Sequence, residues 1–305
     1  MIIANPIYDV VFKQLMENER VAKFFIGTLL NETVETLELK PQEFTYESNI
    51  DIIDPKILKA LEAKVVERLS IRVYRLDFVA TIKKSDGIYK KVLIEIQKAN
   101  NHVDLMRFRN YLGERYKKQE IVNEVPIVLP ITTIYILGFN LPEIDTPCLK
   151  IERNYKDLIN KKIISSKSDF IENLTHDSFI VQVGRIKDNY ATSLDKLLSI
   201  FEQANFVDDN KITKLYNHYP DLEIVALMTA ILHKSGTDPV EKKKIEIEQE
   251  ALRTMEAIYN DLMVTLKNNA IALQEKDQEL SKNKIALNEK DQEIAALKKA
   301  LANKK

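Results

Sequence analysis

Val73-Tyr74-Arg75-Leu76-Asp77-Phe78-Val79-Ala80-Thr81-Ile82 and Tyr89-Lys90-Lys91-Val92-Leu93-Ile94-Glu95-Ile96 are two β-rich runs joined by Lys83-Lys84-Ser85-Asp86-Gly87-Ile88. Branched and aromatic residues on both sides of a glycine-bearing break predict an antiparallel hairpin. Side chains alternate along a strand, so Leu76, Phe78, Ala80 and Ile82 share one face and Arg75, Asp77, Val79 and Thr81 the other. On the second strand Val92, Ile94 and Ile96 oppose Leu93, Glu95 and Gln97. Directly opposed residues share a face, so the apolar sets meet in only one register parity. A two-residue Asp86-Gly87 turn would pair Asp77 with Ile96 and mix the faces. A three-residue loop, Ser85-Asp86-Gly87 with Gly87 left-handed, pairs Phe78 with Ile94, Ala80 with Val92 and Asp77 with Glu95.

Two carboxylates opposed on paired strands repel unless something positive lies between them. A divalent cation removes the conflict, and one or two carboxylates plus water and substrate phosphate describe a Mg²⁺ site suited to phosphoester hydrolysis. The plainer alternative is that Asp77 pairs with Arg75 or Arg72 and that Glu95 faces solvent. Gln97 lies two residues beyond Glu95 on the same face; its amide can orient a water or touch phosphate but cannot act as a base.

Outward from the hairpin, Asn5-Pro6 opens a helical pattern carried by Val10, Val11, Phe12 and Leu15, then Val21, Phe24, Phe25 and Leu29. Residues 37–40 and 44–46 read as strand or extended chain, and Asp54-Pro55 starts a short helix through about Arg68. After Asn100-Asn101, the apolar residues Val103, Met106, Tyr111, Leu112 and Ile121 suit a helix. The nearly continuous apolar run from Pro126 to Leu137 suits a strand buried on both faces. Strand, helix and strand in that order imply a crossover onto a mixed sheet. Ser178 to Ile186 reads as one more strand, and residues 191–234 as helical throughout. The sequence thus divides into 1–190, a helical extension at 191–239 and a long helix at 240–305.

That last segment repeats. Ile271 to Leu280 returns as Ile285 to Ile294, identical at eight of ten positions. Leu252, Tyr259, Leu266, Leu273, Leu280, Leu287, Ile294 and Leu301 fall seven apart and line one seam, either of a coiled coil or of a solvated single helix. The partner column, which includes Asn269, Lys276, Asn283 and Lys290, is half polar, so a homo-oligomer through this helix is expected to be weak or to need a partner.

With 305 residues, 45% hydrophobic and 30% charged, the chain can bury a core, and six Gly and nine Pro exclude collagenous or low-complexity classes. The single Cys148 excludes an internal disulfide and a cysteine-based zinc cluster; a reducing, cytoplasmic setting fits. No stretch approaches a membrane span, so no membrane partner is expected. His102, His176, His218 and His233 are scattered without ligand spacing. The net charge is −1, yet residues 72–118 hold 12 Lys or Arg against five Asp or Glu. Such an excess is either a solvated lysine-rich face or the footprint of a polyanion.

Leu76-Asp77, then Glu95-Ile96-Gln97, then Arg107-Phe108-Arg109-Asn110-Tyr111 in the following helix resemble the PD-(D/E)XK nuclease superfamily, and within it the recombination-promoting nuclease or putative transposase family. The opening Asp9-Val10-Val11-Phe12-Lys13 and the run from Pro130 to Phe139 are similar to that family too, so the likeness covers roughly residues 5–190. It implies an α/β fold with a restriction-endonuclease-like αβββαβ core and mixed sheet, followed by helices and the C-terminal coiled-coil helix. It implies Asp77, Glu95 and Gln97 as the catalytic set, with Asp77 and Glu95 as ligands of Mg²⁺. Asp9, Lys13, Arg107 and Tyr111 become supporting or phosphate-contacting residues. Gln97 stands where the superfamily has lysine, although glutamine is usual in this family, and Leu76 replaces a proline. The implied activity is metal-dependent cleavage of DNA phosphodiester bonds in recombination or transposition. Cations from Lys83 to Lys118 would surround the cleft and bind backbone without reading sequence. The rival classes are an inactive nuclease fold that binds DNA and a coiled-coil interaction protein with a passive head; RNA as substrate stays open.

Overall fold

The first helices form where apolar residues recur at three and four positions, but not at Asn5-Pro6. Ile2–Ala4 is a short strand (β1), and α1 spans Asp9–Met16. α2, Glu19–Leu30, is started by Asn18, whose side chain accepts the Val21 N–H at 3.3 Å, and stopped by the left-handed Asn31. The computed structural model describes residues 1–43, 76–84, 86–97, 109, 112–122, 124–187 and 189–302. The helix expected at 55–68 lies outside them, as do residues 73–75 of the expected first hairpin strand.

The strands that follow are β2 Val34–Glu43, β3 Leu76–Lys84 and β4 Tyr89–Gln97. Helix α3 (112–117) precedes a small hairpin of β5 Glu120–Val122 and β6 Val125–Ile127, then β7 Ile131–Leu137 and β8 Cys148–Ile151. A second small hairpin, β9 Tyr155–Lys156 and β10 Ile163–Ile164, leads through α4 Asp169–Leu174 to β11 His176–Gln182. α5 Ser193–Phe201, β12 Thr213–Leu215, α6 Glu223–Thr237 and α7 Pro239–Ala302 complete the chain. The fold is mixed α/β. Its main sheet has six strands in the order β2-β3-β4-β7-β11-β8, antiparallel except where β4, β7 and β11 run parallel.

Several expectations are corrected. The helix after Asn101 does not reach Ile121, which is exposed in the β5–β6 hairpin. The apolar run from Pro126 breaks into β6 and β7 because Pro130 has no N–H to give a ladder; its carbonyl accepts the Lys91 N–H at 2.9 Å. The strand at Ser178 starts two residues earlier and leaves the sheet at Gln182 for a 3₁₀ turn. Residues 191–234 are not helical throughout, since β12 lies between α5 and α6 and pairs with β1, Ile3 opposite Lys214. Three residues at each end are too few to announce a strand in sequence, and only long-range pairing makes one.

Phe12, Phe25 and Phe201 lock α1, α2 and α5 together, with ring centroids 5.3 to 6.2 Å apart. α6 packs on β1, and at Gly236 a Cβ would come within 2.8 Å of the Ala4 nitrogen. The chain forms two compact units, Met1–Ala251 and Leu252–Lys305. The start of α7 is part of the first: Ile245 and Glu248 are buried there. Tyr8 gives α1 no side-chain cap, and the Glu248 carboxylate takes that place, accepting the Asp9 N–H at 2.9 Å and the Val10 N–H at 3.1 Å. An anion held against two free helix N–H groups is favourable in both charge and hydrogen bonding. Glu248→Ala should therefore cost about 2 kcal/mol, read as a melting point several degrees lower in a thermal scan, whereas a surface change such as Lys243→Ala should leave it unmoved.

β12 also buries Lys214, whose ammonium donates to the Glu202 carbonyl and lies 4.0 Å from the Glu202 carboxylate. Burial depresses its pKa to about 8, against the opposing pull of Glu202. The unfolded chain then binds the extra proton between about pH 8 and the ordinary lysine range near 10.5, so this residue's contribution to stability rises with pH across that window. Chemical denaturation at pH 8 and pH 10 should show the rise in the wild type and its loss in Lys214→Met.

Candidate functional site

The hairpin turn is built as its chemistry requires. Gly87 adopts φ +82°, its N–H donates to the Lys84 carbonyl at 2.9 Å, and the Lys84 N–H donates to the Ile88 carbonyl at 2.9 Å. Asp86 Oδ1 accepts the Ile88 N–H at 2.9 Å, which together with Lys84 holds the Asp86 carboxyl below its usual range. Three residues thus separate Lys84 from Ile88, and the ladder runs Lys83–Tyr89, Ala80–Val92, Val79–Leu93 and Phe78–Ile94. The paired ladder ends at Phe78–Ile94, and Asp77 and Glu95 are the next residues beyond it on β3 and β4. Bonded and non-bonded pairs alternate in an antiparallel ladder; counted from the bonded Lys84–Ile88 pair, the same register continued one step would make Asp77–Glu95 a pair of the non-bonded kind.

Parallel pairing extends this face across the sheet. Lys91 stands beside Ile131 and Ile131 beside His176; Leu93 beside Thr133 and Thr133 beside Ser178; Glu95 beside Tyr135; and Gln97 beside Leu137. Val79, Leu93 and Ile131 form an apolar cluster on it, covered by Leu112 and Tyr116 of α3 and joined by Tyr135. Asp77 and Glu95 lie two residues beyond Val79 and Leu93 along β3 and β4. Tyr135 is the neighbour that sequence reading missed, because a parallel register between β4 and β7 leaves no signal in composition.

At the other end of the same face, Tyr116 Oη and His176 Nδ1 lie 2.7 Å apart. Burial, assisted by Arg153, pushes the His176 pKa down, and burial pushes the Tyr116 hydroxyl up, so both are neutral at pH 7. Burial pushes the Cys148 thiol up to about 11, which disfavours the thiolate a nucleophile needs.

The remaining expected residues are placed differently. Asp9, on the first turn of α1, is buried and Lys13 half-buried, on a helix that packs against α2 and α6. Its first N–H groups face Glu248, so the structure groups this motif with the C-terminal helices. Arg107, Tyr111 and Lys98 lie outside the described residues, and Asp77, Glu95 and Gln97 are placed by backbone register. The expected cationic collar is largely committed elsewhere: Lys84 and Lys90 both lie within 3.5 Å of Glu32, Lys117 pairs with Glu114 at 2.7 Å, and Lys91 and Arg115 are buried. Among the described residues no group of three or more His, Cys, Asp or Glu converges, and no helix is long and apolar enough to cross a membrane. No family model, curated protein or solved structure matches the chain.

The register is directly testable. With Cys148→Ser as background, Asp77→Cys combined with Glu95→Cys should form a disulfide on mild oxidation, because non-bonded antiparallel pairs meet its geometry. Asp77→Cys with Ile96→Cys should stay reduced; the reverse pattern on non-reducing gels would put the hairpin one residue out of register.

Proposed function

We propose that this chain is a metal-dependent endonuclease of the PD-(D/E)XK type, of the recombination-promoting nuclease or putative transposase kind, cutting DNA phosphodiester bonds. The observation that supports it is the hairpin register: paired as far as Phe78–Ile94, it would, continued one step, bring Asp77 across from Glu95, with Gln97 two residues on along β4. Like charges at a close cross-strand pair destabilise a sheet, and a hard divalent cation relieves them, so the donor set fits Mg²⁺. Asp77 and Glu95 would hold it; bound there, such an ion makes a water acidic and offsets phosphate charge. Gln97 orients that water or a phosphate oxygen through its amide. The first helix, with Asp9 and Lys13, is assigned to stability instead, and Arg107 and Tyr111 stay as candidate phosphate contacts.

A second reading, a nuclease fold that binds DNA without turnover, is favoured by one feature: Gln97 brings no positive charge to a step that develops negative charge. The tail is proposed as a coiled-coil association surface, since Leu266, Leu273, Leu280, Leu287 and Ile294 are all exposed along one seam.

Supercoiled plasmid incubated with the full chain separates these readings. Nicking should require Mg²⁺, stop with EDTA and fall by about 100-fold or more in Asp77→Ala and Glu95→Ala, while DNA binding persists. Equal traces from all four reactions would end the catalytic reading. A chain ending at Ala251 should nick as before and sediment as a monomer.

A further inference from the structure

The segment between β8 and β11 contains a small hairpin that packs little of itself away. β9 and β10 pair Tyr155 with Ile164 and Lys156 with Ile163. Their connection is tied internally: the Asp157 N–H donates to the Lys162 carbonyl at 2.9 Å, and the Asp157 carboxylate accepts the Ile159 N–H at 2.8 Å, the Asn160 N–H at 3.1 Å and the Asn160 amide at 2.6 Å. Lys161 takes the left-handed conformation, φ 59°, that closes the loop. The base is clamped as firmly. Arg153 donates to Asp177 at 2.8 Å, to Glu172 Oε2 at 2.7 Å and to Thr175 at 2.8 Å, and the Tyr155 hydroxyl donates to Glu172 at 2.5 Å. This clamp sits at the level where β7 and β11 begin, beside Thr132.

A tip fixed at both ends displays an unusual surface. Leu158 is 73% and Ile159 89% exposed, side by side at the apex. Lys156, Lys161 and Lys162 are exposed around them, with no acidic partner among the described residues. The one carboxylate at the apex, Asp157, is taken up by the loop's own N–H groups. A packed loop normally turns such apolar residues inward, so their display calls for an occupant that is both polyanionic and apolar in its interior.

We propose that this hairpin is a wedge for duplex DNA: Lys156, Lys161 and Lys162 contact backbone phosphates while Leu158 and Ile159 insert at a base step and bend the duplex. The occupant follows from charge and shape. A nucleic-acid groove presents phosphates on both sides of a stack of apolar base faces, and short aliphatic wedges flanked by cations are the side-chain set that unstacks it. A second copy of the chain would set these lysines against their own equivalents in a symmetric contact. Ile163 and Ile164 of the hairpin and Phe170 of α4 are exposed as well, but no aromatic residue stands at the apex itself, where a bilayer-binding tip would carry its interfacial anchor. This inference rests on the DNA reading of the site but not on the cleavage chemistry of Asp77 and Glu95.

The test uses the full-length Asp77→Ala chain, which keeps the hairpin, and a duplex of about 30 base pairs carrying donor and acceptor dyes at its ends. The parent should bind and bring the ends together. Leu158→Ser with Ile159→Ser should keep the melting temperature and lose the bend, with affinity down about 3- to 10-fold. Lys156→Gln, Lys161→Gln and Lys162→Gln together should lower the slope of log affinity against log salt by about 3. A parent that binds no duplex, or hairpin variants that bend and bind as it does, would overturn the wedge. So would binding to phosphatidylserine vesicles, or self-association, that disappears with the Leu158 and Ile159 changes while DNA bending stays. Failure of the cleavage reading looks different: wild type and Asp77→Ala then nick equally, or neither nicks, while bending still depends on Leu158 and Ile159.

Discussion

A single turn determines what can face what in this protein. With Gly87 in the left-handed region, three residues join β3 to β4, and every pair back to Phe78–Ile94 is fixed in the parity that brings apolar residues onto one face. One residue fewer would send Asp77 and Glu95 to opposite sides of the sheet. In the proposed reading the acidic pair is a by-product of satisfying the core: Ala80, Ile82, Val92 and Ile94 are almost completely buried, and the register that buries them, continued one step, would bring Asp77 to Glu95. Function, if it is the proposed chemistry, is carried at no separate conformational cost by a hairpin that folding alone would select.

That coupling explains which parts of the fold were legible. The β3–β4 register, including Phe78 against Ile94, could be read because alternation and turn chemistry are both local, and α2 and α7 because their periodicity is long. What local pattern could not supply was pairing between distant short segments. β1 and β12 are three residues each and exist only because Ile2–Ala4 and Thr213–Leu215 meet. Likewise Tyr135 becomes Glu95's neighbour, and His176 becomes Tyr116's, through the offsets of β7 and β11, which no composition encodes. The expected acid pair rests on one hairpin; its surroundings need three strands and a helix.

The first motif shows the same limit from the other side. Asp9 and Lys13 are one turn apart and invite a reading as partners in a site. In the fold they open a helix whose unfilled N–H groups are met by Glu248, some 240 positions away in sequence. The carboxylate that accepts those N–H groups is the distant one, and its burial makes the start of α7 as much a part of the core as α1 itself.

Charge placement then decides where a polyanion could be held. Residues 72–118 carry the chain's largest cationic excess, but Glu32 lies between Lys84 and Lys90, and Glu35 within 4.0 Å of Lys83, so near the turn much of it is compensated by an acidic loop that sequence order places far away. Compensated cations release few counterions and contribute little to phosphate affinity. Among the described residues, Lys156, Lys161 and Lys162 of the β9–β10 loop have no acidic partner, and that loop's own aspartate is occupied mainly by its backbone. A local count of basic residues thus points to one surface and the pairing pattern to another. Because affinity follows the uncompensated charge, the second surface is where phosphate contact is physically favoured, and under the proposed function Asp77 and Glu95 would act on a strand that other residues hold.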